Sequence, residues 1–117
     1  MNPRDLVLAA LHGDDLTARQ FVKDAAREGF SWTTAPAPES LDAQECAVHA
    51  SLVELMAARA NQPAPAWTSG VGPSPSPVFL VRHAETLAAF RRDSLENTPE
   101  PLRKRNVFAV RDYLDVL

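Results

Sequence analysis

Residues 40–61, SLDAQECAVHASLVELMAARAN, carry the strongest structural signal in the chain. At 100° per residue they predict a helix with two apolar sides. One side has small residues and the other has bulky ones: Ala43, Cys46, Ala50, Val53 and Ala57 on the first, and Val48, Leu52, Leu55 and Met56 on the second. A helix that is apolar on two sides is normally buried against more than one neighbour. We therefore expect one central helix with the rest of the chain folded around it.

Both ends of this helix are marked in the sequence. Ser40 can cap the first backbone N–H groups, or Asp42 and Glu45 can form an Asp-x-x-Glu version of the capping box. Asn61 and the break at Pro63 indicate the end. These signals place the helix at about residues 40–61.

Two shorter helices are predicted upstream, at about residues 3–12 and 15–28. Asn2-Pro3 is a cap followed by proline at the first helical position, and Gly13 ends the first helix. Asp14 or Asp15 can cap the second helix. The string His12-Gly13-Asp14-Asp15 could suggest an active site, but a helix end followed by a helix start explains every residue in it.

The segment FVKDAAREGFS within this pair loosely resembles the first helix and turn of a helix-turn-helix motif. A recognition helix would then begin near Ser31. Pro36 and Pro38 forbid a helix there. We therefore interpret the two helices as structural, with Phe30 and Trp32 packing back onto the core.

Residues 62–81 form a proline-rich segment whose prolines favour extended chain. The segment could be a flexible linker, a ligand for aromatic-lined grooves, or an ordered strap laid across the helices. Trp67 favours the strap, because a linker seldom contains a tryptophan whereas a strap needs an anchor.

The C-terminal part contains two short apolar stretches, VFLV at 78–81 and VFAV at 107–110, which can pair as a minimal two-stranded ribbon. Helices are expected at about residues 84–95 and 99–105, the second with Thr98-Pro99 as its cap-plus-proline start. The fold class is therefore mainly α. It is a single small helical domain, residues 1–117, built around one central helix with a proline-rich extended strap.

Size and composition narrow the class of protein. A chain of 117 residues, 45% hydrophobic and 23% charged, suits one globular domain. A single cysteine excludes an internal disulfide, which suits a reducing cytoplasm. We find no signal peptide and no apolar run long enough to span a membrane, so we expect a cytoplasmic protein. The oligomeric state is left open.

The net charge of −3 gives no overall electrostatic reason to bind nucleic acid. The charge is uneven, however, because five Lys or Arg and nine Asp or Glu precede residue 78, whereas seven and six follow it. The densest basic points are Arg91, Arg92, Arg103, Lys104 and Arg105. A solvated face is the ordinary interpretation of such a run, and a phosphate-contacting surface is the alternative.

Candidate chemistry is sparse. Cys46 and His49 have a helical spacing that can bind a metal ion, but only His12 and His83 could complete the site, and neither lies in a paired motif. Cys46 is on an apolar side, where a free cysteine behaves as a small hydrophobe. We therefore expect no metal, no cofactor and no catalytic residue.

Residues 82–86, Arg-His-Ala-Glu-Thr, follow an apolar stretch and resemble the phosphohistidine signature of the histidine phosphatase family. In that family the histidine is the nucleophile and the arginine binds phosphate, so the resemblance implies these roles for His83 and Arg82. The family has a much longer α/β chain with further arginine and histidine positions downstream. We interpret the match as coincidental.

The chain as a whole resembles a small bacterial family of uncharacterised proteins. The residues that carry this resemblance are LTARQ at 16–20, ELMA at 54–57, PAPAWT at 63–68, VGP at 71–73, PVFLV at 77–81 and PEPLRKRN at 99–106. It implies a stand-alone domain with an ordered proline strap and no activity that can be transferred. The ending, NVFAVRDYLDVL, departs from the more proline-containing tail expected of the family.

These observations favour a non-catalytic cytoplasmic protein-interaction module, such as an accessory or antitoxin-like subunit with a protein partner. The surface expected to bind that partner is Trp67 with the basic residues Arg91, Arg92, Arg103, Lys104 and Arg105. Nucleic-acid binding through the same basic segment is the alternative. A phosphate-handling enzyme that uses Arg82 and His83 is the third hypothesis.

Overall fold

The computed structural model describes residues 1–80 and 95–115. Within these ranges the chain is mainly helical, as the sequence predicts. The elements in chain order are α1 (Pro3–Leu11), α2 (Asp15–Glu28), α3 (Ala43–Arg59), a 3₁₀ helix (Ala66–Gly70), β1 (Val78–Phe79), α4 (Glu100–Arg103) and β2 (Val107–Phe108). Of the helix predicted at residues 84–95, all but residue 95 lies outside the described residues.

Local capping explains the first two helices. The Asn2 side chain accepts a hydrogen bond from the backbone N–H of Arg4 at the start of α1, and Asp14 accepts one from Thr17 at the start of α2. Gly13 between the helices has a φ of 70°, a backbone conformation that glycine adopts without steric cost. The string at residues 12–15 therefore acts as a helix end followed by a helix start.

Helix α3 is shorter than expected at both ends. Asp42 rather than Ser40 caps it, because the Asp42 side chain accepts from the N–H of Gln44 at 2.9 Å. Ser40 precedes the cap residue by two positions, and its hydroxyl accepts a hydrogen bond from the backbone N–H of Asp42 at 3.0 Å. At the other end, α3 stops at Arg59, and Asn61 takes the left-handed backbone conformation that ends helices.

Burial of α3 follows from its two apolar sides. Between residues 47 and 57, Glu54 alone is not fully buried. The helix packs against α1, α4, the 3₁₀ helix and β2. Helix α2 packs mainly on α1, and α1 also packs on α3. Helix α1 therefore contacts both longer helices.

The two strands pair, which confirms the predicted ribbon. They run parallel, with Val78 opposite Val107 and Phe79 opposite Phe108. The rings of the two phenylalanines stack with their centroids 5.4 Å apart. A ribbon of two residues per strand is too small to be stable alone, so it depends on the helices against which it packs.

The extended strap expected at residues 62–81 is interrupted by the 3₁₀ helix. Two hydroxyl groups form local hydrogen bonds within this turn. Thr68 donates to the carbonyl of Pro65 at 2.9 Å, and Ser69 donates to that of Ala66 at 3.0 Å. Such local side-chain bonds compete with extended chain and favour tight turns.

The start of α4 also differs from the expectation. Thr98 does not cap this helix. Its hydroxyl instead donates to the carbonyl of Ala109 at 2.9 Å and accepts from the N–H of Ala109 at 3.1 Å. Thr98 thereby joins the chain before α4 to the chain after β2. Without that side-chain cap, the helix predicted at residues 99–105 is the single turn Glu100–Arg103.

The buried position of α3 makes a prediction about stability. Leu52→Ala removes a side chain that is 0% exposed, and it should lower the free energy of unfolding by about 2–5 kcal/mol. Leu16→Ala is the matched control, because Leu16 is 82% exposed, and it should change the free energy by less than about 0.5 kcal/mol. Urea denaturation measures both values. Equal effects of the two substitutions would contradict the burial of α3.

Candidate interaction site

Trp67, the expected anchor of the strap, is half-buried and makes contacts within the molecule. Its indole N–H donates to the carbonyl of Ala35 at 2.8 Å. Its ring meets the ring of His49 edge-on, with the centroids 5.6 Å apart. The indole therefore joins the 3₁₀ helix both to α3 and to the loop before it. Binding of a partner by Trp67 stays a prediction.

The basic segment divides into residues with different roles. Arg103 and Lys104 are exposed, whereas Arg105 is only 3% exposed. Arg91 and Arg92 lie outside the described residues, as do Arg82 and His83 of the phosphatase-like string. The expectation that Arg105 is part of a surface is therefore wrong, because its guanidinium group is used inside the protein.

The Arg105 guanidinium connects three elements. It forms an ion pair with the Glu54 carboxylate of α3. It also donates to the carbonyls of Thr68 and Val71, at 2.6 and 3.2 Å, and to that of Pro101 at 3.2 Å. These bonds use the fork of N–H donors that distinguishes arginine from lysine. The 3₁₀ helix, α3 and α4 therefore meet at one buried cation.

Glu54 is adapted to this role. Burial alone would raise the pKa of its carboxyl group. Hydrogen bonds from Arg105, Lys104 and Thr68, together with the positive charge of Arg105, outweigh burial and hold the pKa below its ordinary value. Lys104 reaches the same carboxylate with a nitrogen–oxygen distance of 3.0 Å, although its side chain is 48% exposed. The cluster is a structural ion pair with a solvated outer member.

Cys46 and His49 belong to no metal-binding cluster among the residues that the structure describes, which do not include His83. Within residues 1–80 and 95–115, no group of three histidine, cysteine, aspartate or glutamate side chains is placed to hold a metal ion. The Cys46 thiol donates to the carbonyl of Ser40 at 3.2 Å, and burial together with Glu45 and Asp42 raises its pKa. A thiol with a raised pKa is a poor nucleophile.

His49 is 3% exposed, and neither ring nitrogen has a hydrogen-bond partner in the described part of the chain. Burial lowers the pKa of its imidazole. The charge of Arg4 acts in the same direction, and that of Glu45 opposes it. The imidazole is therefore neutral near pH 7 and serves as a flat packing surface for Trp67.

A groove of about 510 Å³ opens between the C-terminal half of α2 and the end of α3. Its apolar lining comes from Val22 and Ala25 of α2, Met56 of α3, the aromatic residues Phe30 and Trp32, and Leu114 near the end of the described chain. Ala26, Gly29, Arg59, Ala60, Gln62 and Asp115 complete the described lining. The lining of the groove is mainly apolar.

The aromatic wall of the groove is held by Gln62. The Gln62 side chain accepts a hydrogen bond from the N–H of Trp32 at 2.6 Å and donates to the carbonyl of Phe30 at 3.2 Å. The Phe30 and Trp32 rings meet edge-on, with centroids 4.8 Å apart. Because these bonds fix the loop after α2 to the chain after α3, the groove is preformed.

A second, smaller pocket of about 150 Å³ adjoins the groove, since Leu114 and Asp115 line both. Asp15, Arg19, Asp112 and Tyr113 also line it, together with Val110. Tyr113 is 5% exposed and its hydroxyl has no partner among the described residues, nor has Oδ1 of Asp15. Burial, and then the charge of Asp15, raise the pKa of the Tyr113 phenol.

The sequence predicts core positions for Phe30, Trp32 and Met56, but it does not indicate the groove that they line. The groove depends on where α2 and α3 lie relative to α1, which no local pattern encodes. One feature of the sequence indicates the smaller pocket. Tyr113 lies between Asp112 and Asp115 near the end of the described chain, so a phenol and two carboxylates are close in sequence.

A scan against protein-family models and searches of curated proteins and solved structures found no match to this chain. The resemblance to a bacterial family stays a prediction. No helix in the described ranges combines the length and the apolar character needed to cross a bilayer.

The Arg105–Glu54 pair makes a prediction about stability. Arg105→Gln leaves the Glu54 carboxylate in the interior without its main partner, and it should lower the free energy of unfolding by about 3–5 kcal/mol. Lys104→Gln removes the solvated partner of the same carboxylate and should cost less than about 1 kcal/mol. Urea denaturation at pH 7 measures both. Similar losses for the two variants would mean that Arg105 is not the buried member.

His49 makes a prediction about pH dependence. Its folded-state pKa lies below the ordinary value of 6.5, so the unfolded chain takes up a proton first as the pH falls. Stability should decrease below about pH 6.5, by at most about 1.4 kcal/mol per pH unit. Glu54 adds its own loss only below about pH 4.5.

Unfolding free energies at pH 7.5 and pH 5 test this assignment. His49→Gln should remove most of the decrease between these values, whereas His12→Gln, at an exposed position, should leave it intact. A decrease of the same size in His49→Gln would assign the pH dependence to another group.

Proposed function

We propose that this chain is a non-catalytic protein-interaction module, in the manner of a cytoplasmic accessory or antitoxin-like subunit, and that the groove receives an apolar segment of a protein partner. In this proposal α3 is the central support and the proline-rich segment at residues 62–81 is a strap that holds the support in place. Trp67 anchors the strap, and Phe30 and Trp32 provide the aromatic contact surface of the groove.

The groove carries the proposal. Its volume of about 510 Å³ lies within the range of sites that bind ligands or side chains of a partner. Aromatic residues and methionine are enriched at protein interfaces. Aromatic rings bury a large area with few rotatable bonds, and the flexible thioether of methionine adapts to the shape of a partner. Phe30, Trp32 and Met56 supply this chemistry on a wall that Gln62 holds in place.

Nucleic-acid binding through the basic segment is the weaker proposal. Arg103 and Lys104 are exposed, but Arg105 is occupied by Glu54 and by backbone carbonyls, and Lys104 also pairs with Glu54. Within the part of this segment that the structure describes, two exposed cations offer few phosphate contacts. Binding to duplex or single-stranded DNA that weakens steeply with salt and with Arg103→Ala would favour this alternative.

A displayed library of short random peptides, selected against the purified full chain, tests the groove. Enriched peptides should bind wild type and fail to bind Ala26→Glu, because Ala26 lines the groove at an exposed position where a glutamate projects into it. Ala58→Glu is the matched control, because Ala58 is an exposed helical alanine outside the groove lining, and it should bind normally. Fluorescence anisotropy with a labelled peptide gives the dissociation constants.

Two results would reject the proposed function. One is a library without enriched peptides. The other is enriched peptides that bind Ala26→Glu and wild type equally, since their contact surface then lies elsewhere on the molecule.

A further inference from the structure

The groove and the smaller pocket follow one face of α2. Asp15, Arg19, Val22, Ala26 and Gly29 recur every three or four residues, the spacing that places side chains on one side of a helix. The first two line the pocket, and the last three line the groove. A partner segment that lies along α2 therefore meets apolar surface at one end and the pocket at the other.

The pocket is acidic. Among the described residues, Asp15, Asp112 and Asp115 line it together with one cation, Arg19. Arg59, which lines the groove, donates a hydrogen bond from its guanidinium group to the backbone carbonyl of Tyr113. Asp115 and Asp112 act on that guanidinium electrostatically. The balance of carboxylates over cations favours a positively charged ligand.

A second observation, independent of the acidic residues, also indicates a ligand. Tyr113 is 95% buried, because its exposed fraction is 5%, and its hydroxyl has no hydrogen-bond partner in the described chain. The neighbouring Oδ1 of Asp15 is buried and unpaired as well. Unpaired buried polar groups are costly, so native proteins pair nearly all of them. Both oxygens can accept hydrogen bonds, and an ammonium or guanidinium group carries several N–H donors.

We propose that the pocket at Tyr113 and Asp15 binds the cationic side chain of a lysine or arginine in a partner segment whose apolar residues occupy the groove. This inference rests on the proposed function, and it adds the chemistry of the partner. The positive N-terminal end of the α2 dipole opposes a cation there, and Asp14 and Asp15 at that end offset the dipole.

The spacing within the partner follows from the length of α2. Asp15 and Ala26 are eleven residues apart, which is about 16 Å along a helix axis. An extended partner spans this distance when its basic side chain is about five positions along the chain from its apolar anchor. A helical partner that lies alongside α2 needs about three turns.

The peptides selected from the library test the inference. We expect them to contain lysine or arginine at this separation from an apolar anchor. Asp15→Asn should weaken binding roughly five- to tenfold, and Tyr113→Phe should weaken it by a smaller factor. Asp5→Asn is the control, because Asp5 is an exposed aspartate in the first turn of α1, and it should leave binding unchanged.

A double-mutant cycle makes the assignment specific. Replacing the basic residue of the peptide by norleucine should cost the same factor as Asp15→Asn, and the two changes together should cost little more than either alone. Tyr113→Phe removes a hydroxyl that has no partner, so the variant should unfold at the same or a higher urea concentration than wild type. Its loss of binding can then be separated from a loss of folding.

Each other result overturns the inference. Peptides that fill the groove without a basic residue would leave the proposed function standing and reject the cation pocket. Tighter binding in Asp15→Asn, or weaker binding in Arg19→Gln, would mean that the pocket prefers an anion. A shift from monomer to dimer in sedimentation equilibrium, abolished by Ala26→Glu, would assign the groove to a second copy. Binding that strengthens when residues 116–117 are deleted, with no dependence on Asp15, would assign it to the end of this chain.

Discussion

The ion pair between Arg105 and Glu54 is the constraint on which the C-terminal half of the structure depends. Burying one arginine is unfavourable unless its N–H groups are satisfied, and here a carboxylate and three backbone carbonyls satisfy them. Those acceptors come from α3, from the 3₁₀ helix and the residue that follows it, and from α4. The cation can be buried only when all three elements are in position, so the pair selects one arrangement of them.

The position of the chain after α4 follows from this constraint. Ser74 donates its backbone N–H to the carbonyl of Arg105 at 2.9 Å, and Val78 donates to that of Asn106 at 3.0 Å. These bonds align β1 with β2 directly after the buried arginine. The ribbon, too short to form by itself, is therefore aligned by contacts made at residues 105 and 106.

Local signals predicted much of this fold. The caps at Asn2, Asp14 and Gly29 act within a few residues, and the apolar periodicity of α3 is visible in one stretch of chain. Arg105 was misplaced because its main partner, Glu54, is 51 residues away. In the sequence, the basic run at residues 103–105 is typical of a solvated surface. Only the folded chain shows that the Glu54 carboxylate pairs with one of these residues. Glu54, the one charged residue between the two apolar sides of α3, was the signal for such a partner.

Two buried hydroxyl groups without hydrogen-bond partners, those of Ser51 and Tyr113, differ in their surroundings. The Ser51 hydroxyl lacks a partner within α3, and it is surrounded by core residues. The Tyr113 hydroxyl carries a similar cost, but the pocket beside it is open to a ligand. Leu114, which follows it, has a φ of 58°, an uncommon conformation for a residue with a side chain. The backbone conformation of Leu114 and the unpaired hydroxyl of Tyr113 both cost free energy. A bound ligand can offset this cost, because it supplies the missing hydrogen bond. The same cost at Ser51 has no such compensation, which is why we assign the binding role to the pocket at Tyr113 and not to the interior of α3.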